Sequence, residues 1–316
     1  MSTSSWIYDA PSGVYKSHSM SSDLRMAAIA QTKFLQYFNT VDGMGKGKGD
    51  TVTITRIANV DVPTDDSLLE VERIPEDSYV LSTQAISVTE RGRAIPYSSL
   101  SIDLSSINLE NAIQKKLRDQ LALRLDKVCA TAAKLGMVKA IPDGVASLTF
   151  DTDGTASTTA AANLNVYHVE QVRDYMFSTL NVAPYADGDY MCLASTKALR
   201  GIKRDPNWEK WKVYGNQEAK QGSEVGRLES CRFVEINNSN ALSQSLGASS
   251  VLGEAIFFGD DAFIMATVQD PELRAKESGD YGRAKGVAWY GIYGMSQVWY
   301  DSASAGQARS VHITSA

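Results

Sequence analysis

Residues 108–135 carry the longest helical pattern in the sequence, and they limit what the chain can fold into. Apolar residues recur there in steps of three or four: Leu109, Ile113, Leu117, Leu121, Leu125, Val128, Ala132 and Leu135. This spacing predicts a helix of about seven turns, roughly 40 Å long, with one apolar side. Asn108 is suited to cap its first turn, and Gly136 to end it in the left-handed conformation. A helix this long needs a broad surface to pack on.

Two segments before the helix, 51–60 and 78–91, alternate apolar and polar residues as β-strands do. The stretch between them holds a single arginine and seven acids: Asp61, Asp65, Asp66, Glu70, Glu72, Glu76 and Asp77. We therefore predict an extended hairpin with an acidic tip. A two-stranded hairpin is only marginally stable alone, so it should lie on another surface. No apolar pocket sequence surrounds the acids, which favours a solvated or partner-facing loop over a catalytic pair of carboxylates.

The N-terminal region reads as an arm. Its first 22 residues contain eight serines and little apolar pattern. Residues 24–38 then have helical spacing, with an apolar side formed by Met26, Ile29, Ala30, Phe34 and Phe38. The rest of the fold or a neighbouring copy has to cover that side. Residues 43–49 follow as a glycine-rich hinge, since they lack the spacing of a phosphate-binding loop.

After the long helix, the pattern changes repeatedly between helix and strand. Helices are predicted at 166–180 and directly after Ser195, which can cap the second one. Strands are predicted at 147–155, 188–194, 227–236, 255–259, 270–277, 287–300 and 309–314. Because the order lacks a regular βαβα alternation, the sequence predicts an α+β fold.

Composition excludes several functional classes. Lysine plus arginine is 31 and aspartate plus glutamate is 37, a net charge of −6, which disfavours a dedicated nucleic-acid binder. The cysteines Cys129, Cys192 and Cys231 are far apart and form no CxxC pair. We expect them to be buried and reduced, in a protein kept in a reducing aqueous compartment. The sequence shows no signal peptide and no apolar run of membrane-spanning length.

No motif for catalysis or metal binding is found. His18, His168 and His312 stand singly, and no HExxH pattern occurs. Residues 294–298 match a nucleophile elbow except at its last position, where Val298 replaces glycine. The prediction is therefore a protein that is not an enzyme and that has no cofactor and no metal.

A basic segment is the remaining candidate for binding. It contains Lys197, Arg200, Lys203, Arg204, Lys210 and Lys212, with two tryptophans at 208 and 211. Cations interleaved with aromatics can bind nucleic acid, but the acidic balance of the chain favours a solvated face or a protein contact.

The order of these elements resembles the major capsid proteins of tailed bacteriophages, the Hong Kong 97-type fold. The resemblance is carried by GKGDTVTITR at 47–56, SVTERGRAIPYSS at 87–99 leading into the long helix, and RSVHIT at 309–314. The arrangement is most similar to coat proteins of short-tailed phages.

The resemblance implies a domain organisation that covers nearly the whole chain. In the family's terms it consists of an N-terminal arm at 1–49, an extended loop at 50–98, a peripheral domain at 99–160 built on a spine helix at 108–135, an axial domain at 161–250, and returning peripheral strands at 251–316.

The resemblance also implies a structural function. The expected protein self-assembles into the hexamers and pentamers of an icosahedral capsid in the virion, after assembly in the host cytoplasm. Expected partners are further copies of itself, a separate scaffolding protein, a portal, and packaged double-stranded DNA held by non-specific interior contacts, with no membrane. Two other readings stay open: an encapsulin-like cellular compartment shell, and an enzyme with an unrecognised site.

Contacts between subunits are expected at charged residues. The predicted set pairs four acids of the hairpin tip with four cations of the basic segment: Asp65, Asp66, Glu70, Glu72, Arg200, Lys203, Arg204 and Lys210. Arg56, Arg91 and Arg93 at the hairpin base are the alternative partners of the tip. The other basic surface, Lys116, Arg124, Lys127 and Lys134 on the long helix, would meet DNA instead, since in the resembling fold that helix faces the shell interior.

Overall fold

The structure is a computed structural model, and it describes residues 32–41, 47, 49–57, 60, 62–63, 67, 73–74, 76–79, 81–103, 105, 108–185, 187–205, 224–277, 281, 283–299 and 308–316. The helices in this part of the chain are α1 (Ser99–Asp103), α2 (Leu109–Ala133), α3 (Val166–Asp174) and α4 (Thr196–Lys203). The strands are β1 (Asn39–Thr40), β2 (Thr51–Ile57), β3 (Leu81–Ser87), β4 (Thr89–Ser98), β5 (Val138–Gly144), β6 (Ser147–Asp151), β7 (Tyr190–Ser195), β8 (Glu224–Leu228), β9 (Cys231–Ile236), β10 (Ala255–Phe258), β11 (Phe263–Ala275), β12 (Ala284–Gln297) and β13 (Ser310–Ile313).

Most of the strands belong to two sheets. The larger sheet has the order β6-β5-β13-β10-β7-β9-β8, and the smaller has the order β1-β11-β12-β4. Strands β2 and β3 form a separate antiparallel hairpin. In the larger sheet, β5–β13 and β7–β9 are parallel pairs and the other neighbours are antiparallel. The mixed sheet, without a repeated βαβ crossover, is an α+β arrangement.

Helix α2 spans two packing surfaces. Its first half packs Ile113 and Leu117 against Val287 and Trp289 of β12. Its second half contributes small side chains to another cluster: Cys129, Ala130, Ala132 and Ala133. The predicted helix and its cap are confirmed, since Asn108 Oδ1 accepts a hydrogen bond from an N–H in the first turn at 3.1 Å. The broad surface that the helix needs is the face of the smaller sheet.

The C-terminal end of α2 differs from the prediction. The helix ends at Lys134 in right-handed geometry, and Gly136 does not adopt a positive φ. A Cβ on Gly136 would lie 2.8 Å from Ser310 Oγ, so the glycine permits close packing on β13. Leu135, expected on the apolar side, is 54% exposed because the buried face ends one turn earlier.

The hairpin of β2 and β3 is confirmed, and its base lies on its own chain. Ile86 is buried among Ile264, Ala266 and Val298, with Ile54 packed against them. This contact supplies the support that a two-stranded hairpin needs. The predicted second strand, 78–91, is in fact two strands, because the chain leaves β2 after Ser87 and pairs with β12 from Thr89 onward.

The predicted helix at 24–38 is wrong in its last part, where the structure describes it. Of the predicted helix at 24–38, residues 24–31 lie outside the described residues. Leu35–Tyr37 form a single 3-10 turn, after which the chain is extended and β1 pairs in parallel with β11. Phe34 and Phe38 are buried in the core of the same subunit. These two aromatic rings therefore need no neighbouring copy to cover them.

In three further segments, the observed helix and strand boundaries differ from the predicted ones. The predicted helix at 166–180 is α3 followed by a π-helical turn at Tyr175–Thr179. The predicted strand at 227–236 is the hairpin β8–β9, turning at residues 229 and 230, which both have positive φ. Strand β11 begins at Phe263, before the predicted start at 270. Among the described helices, none combines the length and apolar character that a membrane span requires.

Candidate functional site

Three of the predicted contact residues lie together at the C-terminal end of α4. Arg200, Lys203 and Arg204 are all exposed there, while the opposite side of the helix is buried. Lys203 Nζ lies 3.7 Å from Glu235 Oε2 on the neighbouring β9. Cations at this end of a helix are favourably placed relative to its dipole. Helix α4 therefore presents a basic, solvent-facing end, and its contact with another copy stays a prediction.

The position of α4 is fixed by its start and by a glycine. Ser195 Oγ accepts a hydrogen bond from the Ala198 N–H, which confirms the predicted cap. A Cβ on Gly201 would lie 2.1 Å from the carbonyl oxygen of Leu164. The absence of a side chain at Gly201 therefore lets the helix backbone touch the segment that precedes α3.

The structure does not describe the four acids of the predicted contact set. Asp65, Asp66, Glu70 and Glu72 lie outside the described residues, and so does Lys210. Their pairing with the cations of α4 stays a prediction.

Arg56, one of the alternative cations, is not available to a neighbouring subunit. Its side chain is buried and donates a 2.7 Å hydrogen bond from Nη1 to the Val298 carbonyl, and its guanidinium lies 5.3 Å from the centre of the Trp299 ring. Arg91 is half-buried over a tyrosine ring, and Arg93 is exposed. Of these three arginines, Arg93 alone has an exposed side chain.

A buried charged cluster, which sequence reasoning missed, joins the end of α2 to the larger sheet. Glu254 accepts from Lys134 Nζ at 2.7 Å through Oε2, and its Oε1 lies 2.7 Å from His312 Nε2. On the other side of the ring, Nδ1 of His312 lies 3.2 Å from Lys139 Nζ, which also donates to the Lys134 carbonyl. The four side chains connect α2, β5, β13 and the residue before β10.

The pKa values of this cluster follow from burial and from the neighbouring charges. Burial lowers the pKa of His312 to about 4 against the opposing hydrogen bond with Glu254. Burial alone would raise the pKa of Glu254, but the hydrogen bond from His312 and the charge of Lys134 lower it to about 2. Burial lowers the pKa of Lys139 to about 8. At neutral pH Glu254 is therefore a carboxylate, Lys139 an ammonium group and His312 a neutral imidazole.

A second polar site, also missed, ties the N-terminal segment to α2. Asp126 is buried, and its Oδ1 accepts from the backbone N–H groups of Lys33 at 3.0 Å and Phe34 at 3.1 Å. Its Oδ2 accepts from Asn238 Nδ2 at 2.9 Å. These bonds fix the chain where Phe34 enters the core.

The candidate nucleophiles are poorly suited to catalysis. The three cysteines are free and buried, as predicted, and burial raises the pKa of each thiol, that of Cys231 to about 12. His168 caps α3 together with Asn165, and burial lowers its pKa. Among the described residues, no group of three or more histidine, cysteine or acidic side chains could hold a metal ion.

Comparison with known proteins identifies the fold. No family model and no curated protein sequence matches the chain. Solved structures do match. The capsid of Ralstonia phage GP4 has a TM-score of 0.67 at 16% identity, over 99% of this chain and 98% of that one. The acid-stable capsid of Helicobacter pylori bacteriophage KHP30 has a TM-score of 0.68 at 12% identity, over the full length of both chains. The capsid of cyanophage Pam1 has a TM-score of 0.65 at 14% identity, over 98% and 99%.

These matches confirm the predicted fold class. The chain has the α+β fold of tailed-phage major capsid proteins, the Hong Kong 97-type fold, and the likeness extends along the whole chain.

Proposed function

We propose that this chain, which has the fold of tailed-phage major capsid proteins, is the structural subunit of an icosahedral phage capsid. The observation that carries the proposal is the match to several capsid proteins, which covers 99% and 98% of the two chains for the Ralstonia phage capsid and 100% of both for the Helicobacter phage capsid. In this proposal, copies of the chain form hexamers and pentamers, and these close into a shell around the genome. The shell assembles in the host cytoplasm and becomes part of the virion.

The proposed domains follow the family's arrangement. Residues 1–49 would be the arm, 50–98 the extended loop, 99–160 and 251–316 the peripheral domain, and 161–250 the axial domain. The first half of α2, in the proposed peripheral domain, packs on β12 of the smaller sheet, and α3 and α4 lie in the proposed axial range. The larger sheet joins the two proposed domains, because β7, β8 and β9 belong to the axial range and β5, β6, β10 and β13 to the peripheral ranges. In the axial domain, the exposed cations of α4 would face copies of the same chain.

Other proposed partners are a separate scaffolding protein, a portal and double-stranded DNA. For DNA, Arg124 and Lys127 are the exposed members of the four cations predicted on α2. Lys134 is less suited, because Glu254 holds its ammonium group. Binding of this kind would be independent of sequence and would weaken steeply with added salt.

Electron microscopy of the purified protein tests the proposal. Closed shells built from many copies, without protein cargo, are expected. Small shells that enclose an enzyme would instead indicate an encapsulin-like compartment. Discrete small oligomers that show no tendency to close would overturn the proposal of a shell subunit and would favour an enzyme.

A charge reversal tests the acidic tip of the hairpin. The variant Asp65→Lys, Asp66→Lys, Glu70→Lys and Glu72→Lys should keep the thermal unfolding midpoint of the parent but assemble poorly. The matched control replaces the same residues with Asn or Gln, which removes charge without reversing it and should have a smaller effect. If the reversed variant assembles like the parent at low and high salt, the tip is a solvated loop.

A further inference from the structure

A small recess lies beside the second half of α2, between that helix and the smaller sheet. It has a volume of about 190 Å³. The helix supplies residues spaced three or four apart, and β4 and β12 supply one residue each, so that the lining is Arg91, Arg124, Val128, Thr131, Ala132, Leu135 and Met295. Among these, Ala132 is the buried one, and its methyl group is too small to fill the space.

The charge of the recess is positive. Arg91 and Arg124 bring two guanidinium groups to the lining, and no lining residue is acidic. Neither arginine forms an ion pair within the part of the chain that the structure describes. The hydroxyl of Thr131 donates to the Lys127 carbonyl at 2.8 Å and leaves the arginines as the donors of the recess. A lining of this kind favours an anion, because guanidinium groups bind carboxylates and phosphates with two parallel hydrogen bonds.

Arg91 is held in place without using its hydrogen bonds. Its guanidinium lies 5.5 Å from the centre of the fully buried Tyr293 ring, a cation–π contact, and its Nε has no hydrogen-bond partner in the described structure. The buried hydroxyl of Tyr293 also lacks a partner there. Burial raises the pKa of this hydroxyl although the charges of Arg91 and Arg124 lower it, which places both cations close to the ring. The N–H groups of Arg91 therefore remain available to a ligand.

The rest of the lining is apolar and selects among anions. Val128, Leu135 and Met295 border the recess, and Leu135 is 54% exposed. A phosphate would satisfy the arginines but would leave these side chains in water. A space of 190 Å³ corresponds to about six water molecules, enough for one acid with a short side chain and too little for a duplex to enter. We propose that this recess binds a carboxylate that carries a short aliphatic group.

Two sources present this chemistry. One is a free short-chain acid, and the other is the terminal carboxylate of a peptide that ends in an aliphatic residue. In both cases the ligand would join Arg91 of β4 to Arg124 of α2, and it would stabilise the folded subunit because the unfolded chain lacks the site. The recess belongs to a single subunit, so the inference does not rest on the proposed shell.

A titration followed at Met295 tests the site. Isocaproate is added, at low salt, to full-length protein kept unassembled at low concentration and carrying isotope-labelled methionine methyl groups. The variant Met295→Leu identifies the Met295 signal among the nine methionines. This signal should shift until it saturates, and the thermal unfolding midpoint should rise with the concentration of the acid. A Met295 signal that does not move would overturn the proposal.

Two substitutions on α2 give a matched comparison. Arg124→Gln removes a guanidinium group of the recess and should weaken binding about tenfold, since it removes a hydrogen bond to a charged group. Lys127→Gln removes an exposed cation of the same helix that is not part of the lining, and it should bind like the parent. Equal affinities in the two variants would overturn the proposal. Arg91→Gln, provided that its unfolding is still cooperative, should also weaken binding about tenfold.

Further ligands separate the alternatives. Isocaproamide, which has the same shape without the charge, should bind more weakly than isocaproate. Acetyl-glycyl-leucine that binds more tightly than isocaproate would support a peptide end as the source, and weaker binding would support a free acid. Inorganic phosphate or a short DNA duplex that shifts the Met295 signal while isocaproate does not would overturn the proposal and assign the recess to phosphates. Closed shells from a parent protein that binds no carboxylate would reject the site and leave the capsid function standing.

Discussion

Nε2 of His312 and Oε1 of Glu254 lie 2.7 Å apart, and both side chains are buried. The ammonium group of Lys139, 3.2 Å from Nδ1 of the same ring, can only donate a hydrogen bond. Nδ1 must therefore accept, and the ring proton resides on Nε2 and points to the carboxylate. The imidazole is neutral, and protonating it would direct a second N–H against the ammonium group of Lys139.

This arrangement predicts a loss of stability in acid. The pKa of His312 is about 4 in the folded protein, below the usual value of 6.5, so the unfolded chain binds the proton first as pH falls. Stability from this group is complete above pH 6.5 and is lost between about pH 6.5 and 4, by on the order of 3 kcal/mol. The low pKa of Glu254 adds a further loss between its usual 4.5 and about 2.

Urea unfolding of unassembled protein at a series of pH values measures this effect. The variant His312→Gln should be less stable at pH 7 but should lose stability less steeply between pH 6.5 and 4. His168 remains in that variant and contributes its own smaller dependence, since burial lowers its pKa as well. If the free energy of unfolding falls as steeply between pH 6.5 and 4 in the variant as in the parent, His312 is not the source of the acid sensitivity.

The core contact of α2 predicts a contrast between two leucines. Leu117 is fully buried against Val287 and Trp289, whereas Leu135 is 54% exposed. Leu117→Ala should lower the free energy of unfolding by about 2–5 kcal/mol, and Leu135→Ala by less than about 0.5 kcal/mol. Chemical denaturation of both variants measures the difference. Equal effects would show that the buried face of α2 is assigned wrongly.

The sequence predicts the first half of α2 better than the second, for a physical reason. From Leu109 to Leu121 the apolar side consists of large residues whose spacing is unambiguous. Beyond Leu125 the buried side includes Asp126 and several small residues, so hydrophobicity no longer marks it. The run of cysteine and alanines at 129–133 is the signal that was available, because small side chains indicate close packing.

The charged cluster could not be predicted, since its members are far apart in the sequence. Lys134, Glu254 and His312 each read as an isolated polar residue, and only the pairing of β13 with β5 and β10 brings them together. Local patterns predicted the elements and the fold class, whereas this cluster depends on which strands become neighbours.

The close approach at Gly201 predicts sensitivity to a single methyl group. In Gly201→Ala, the Cβ would lie 2.1 Å from the Leu164 carbonyl oxygen, so α4 has to move. We expect the free energy of unfolding to fall by about 1–3 kcal/mol. Gly144→Ala is the control, because its Cβ would have only an ordinary 3.4 Å contact with the side chain of Ser147. Similar unfolding midpoints for the two variants would contradict the observed packing.

The bonds of Asp126 predict that one side chain holds the N-terminal segment in place. In Asp126→Ala, the N–H groups of Lys33 and Phe34 and the amide of Asn238 lose their acceptor in a buried site. The free energy of unfolding should fall by about 2–4 kcal/mol. The rate of hydrogen exchange should also increase more at the amides of Lys33 and Phe34 than at the other amides of the chain.

Asp119→Ala is the control for this effect, because it removes a carboxylate from the same helix at a more exposed position, 3.6 Å from Lys116. It should leave the exchange of both amides unchanged. Faster exchange in Asp126→Ala that is spread evenly over the whole chain would indicate general destabilisation instead. Protection that persists at Lys33 and Phe34 in that variant would show that burial of the Phe34 ring alone is enough to hold the segment.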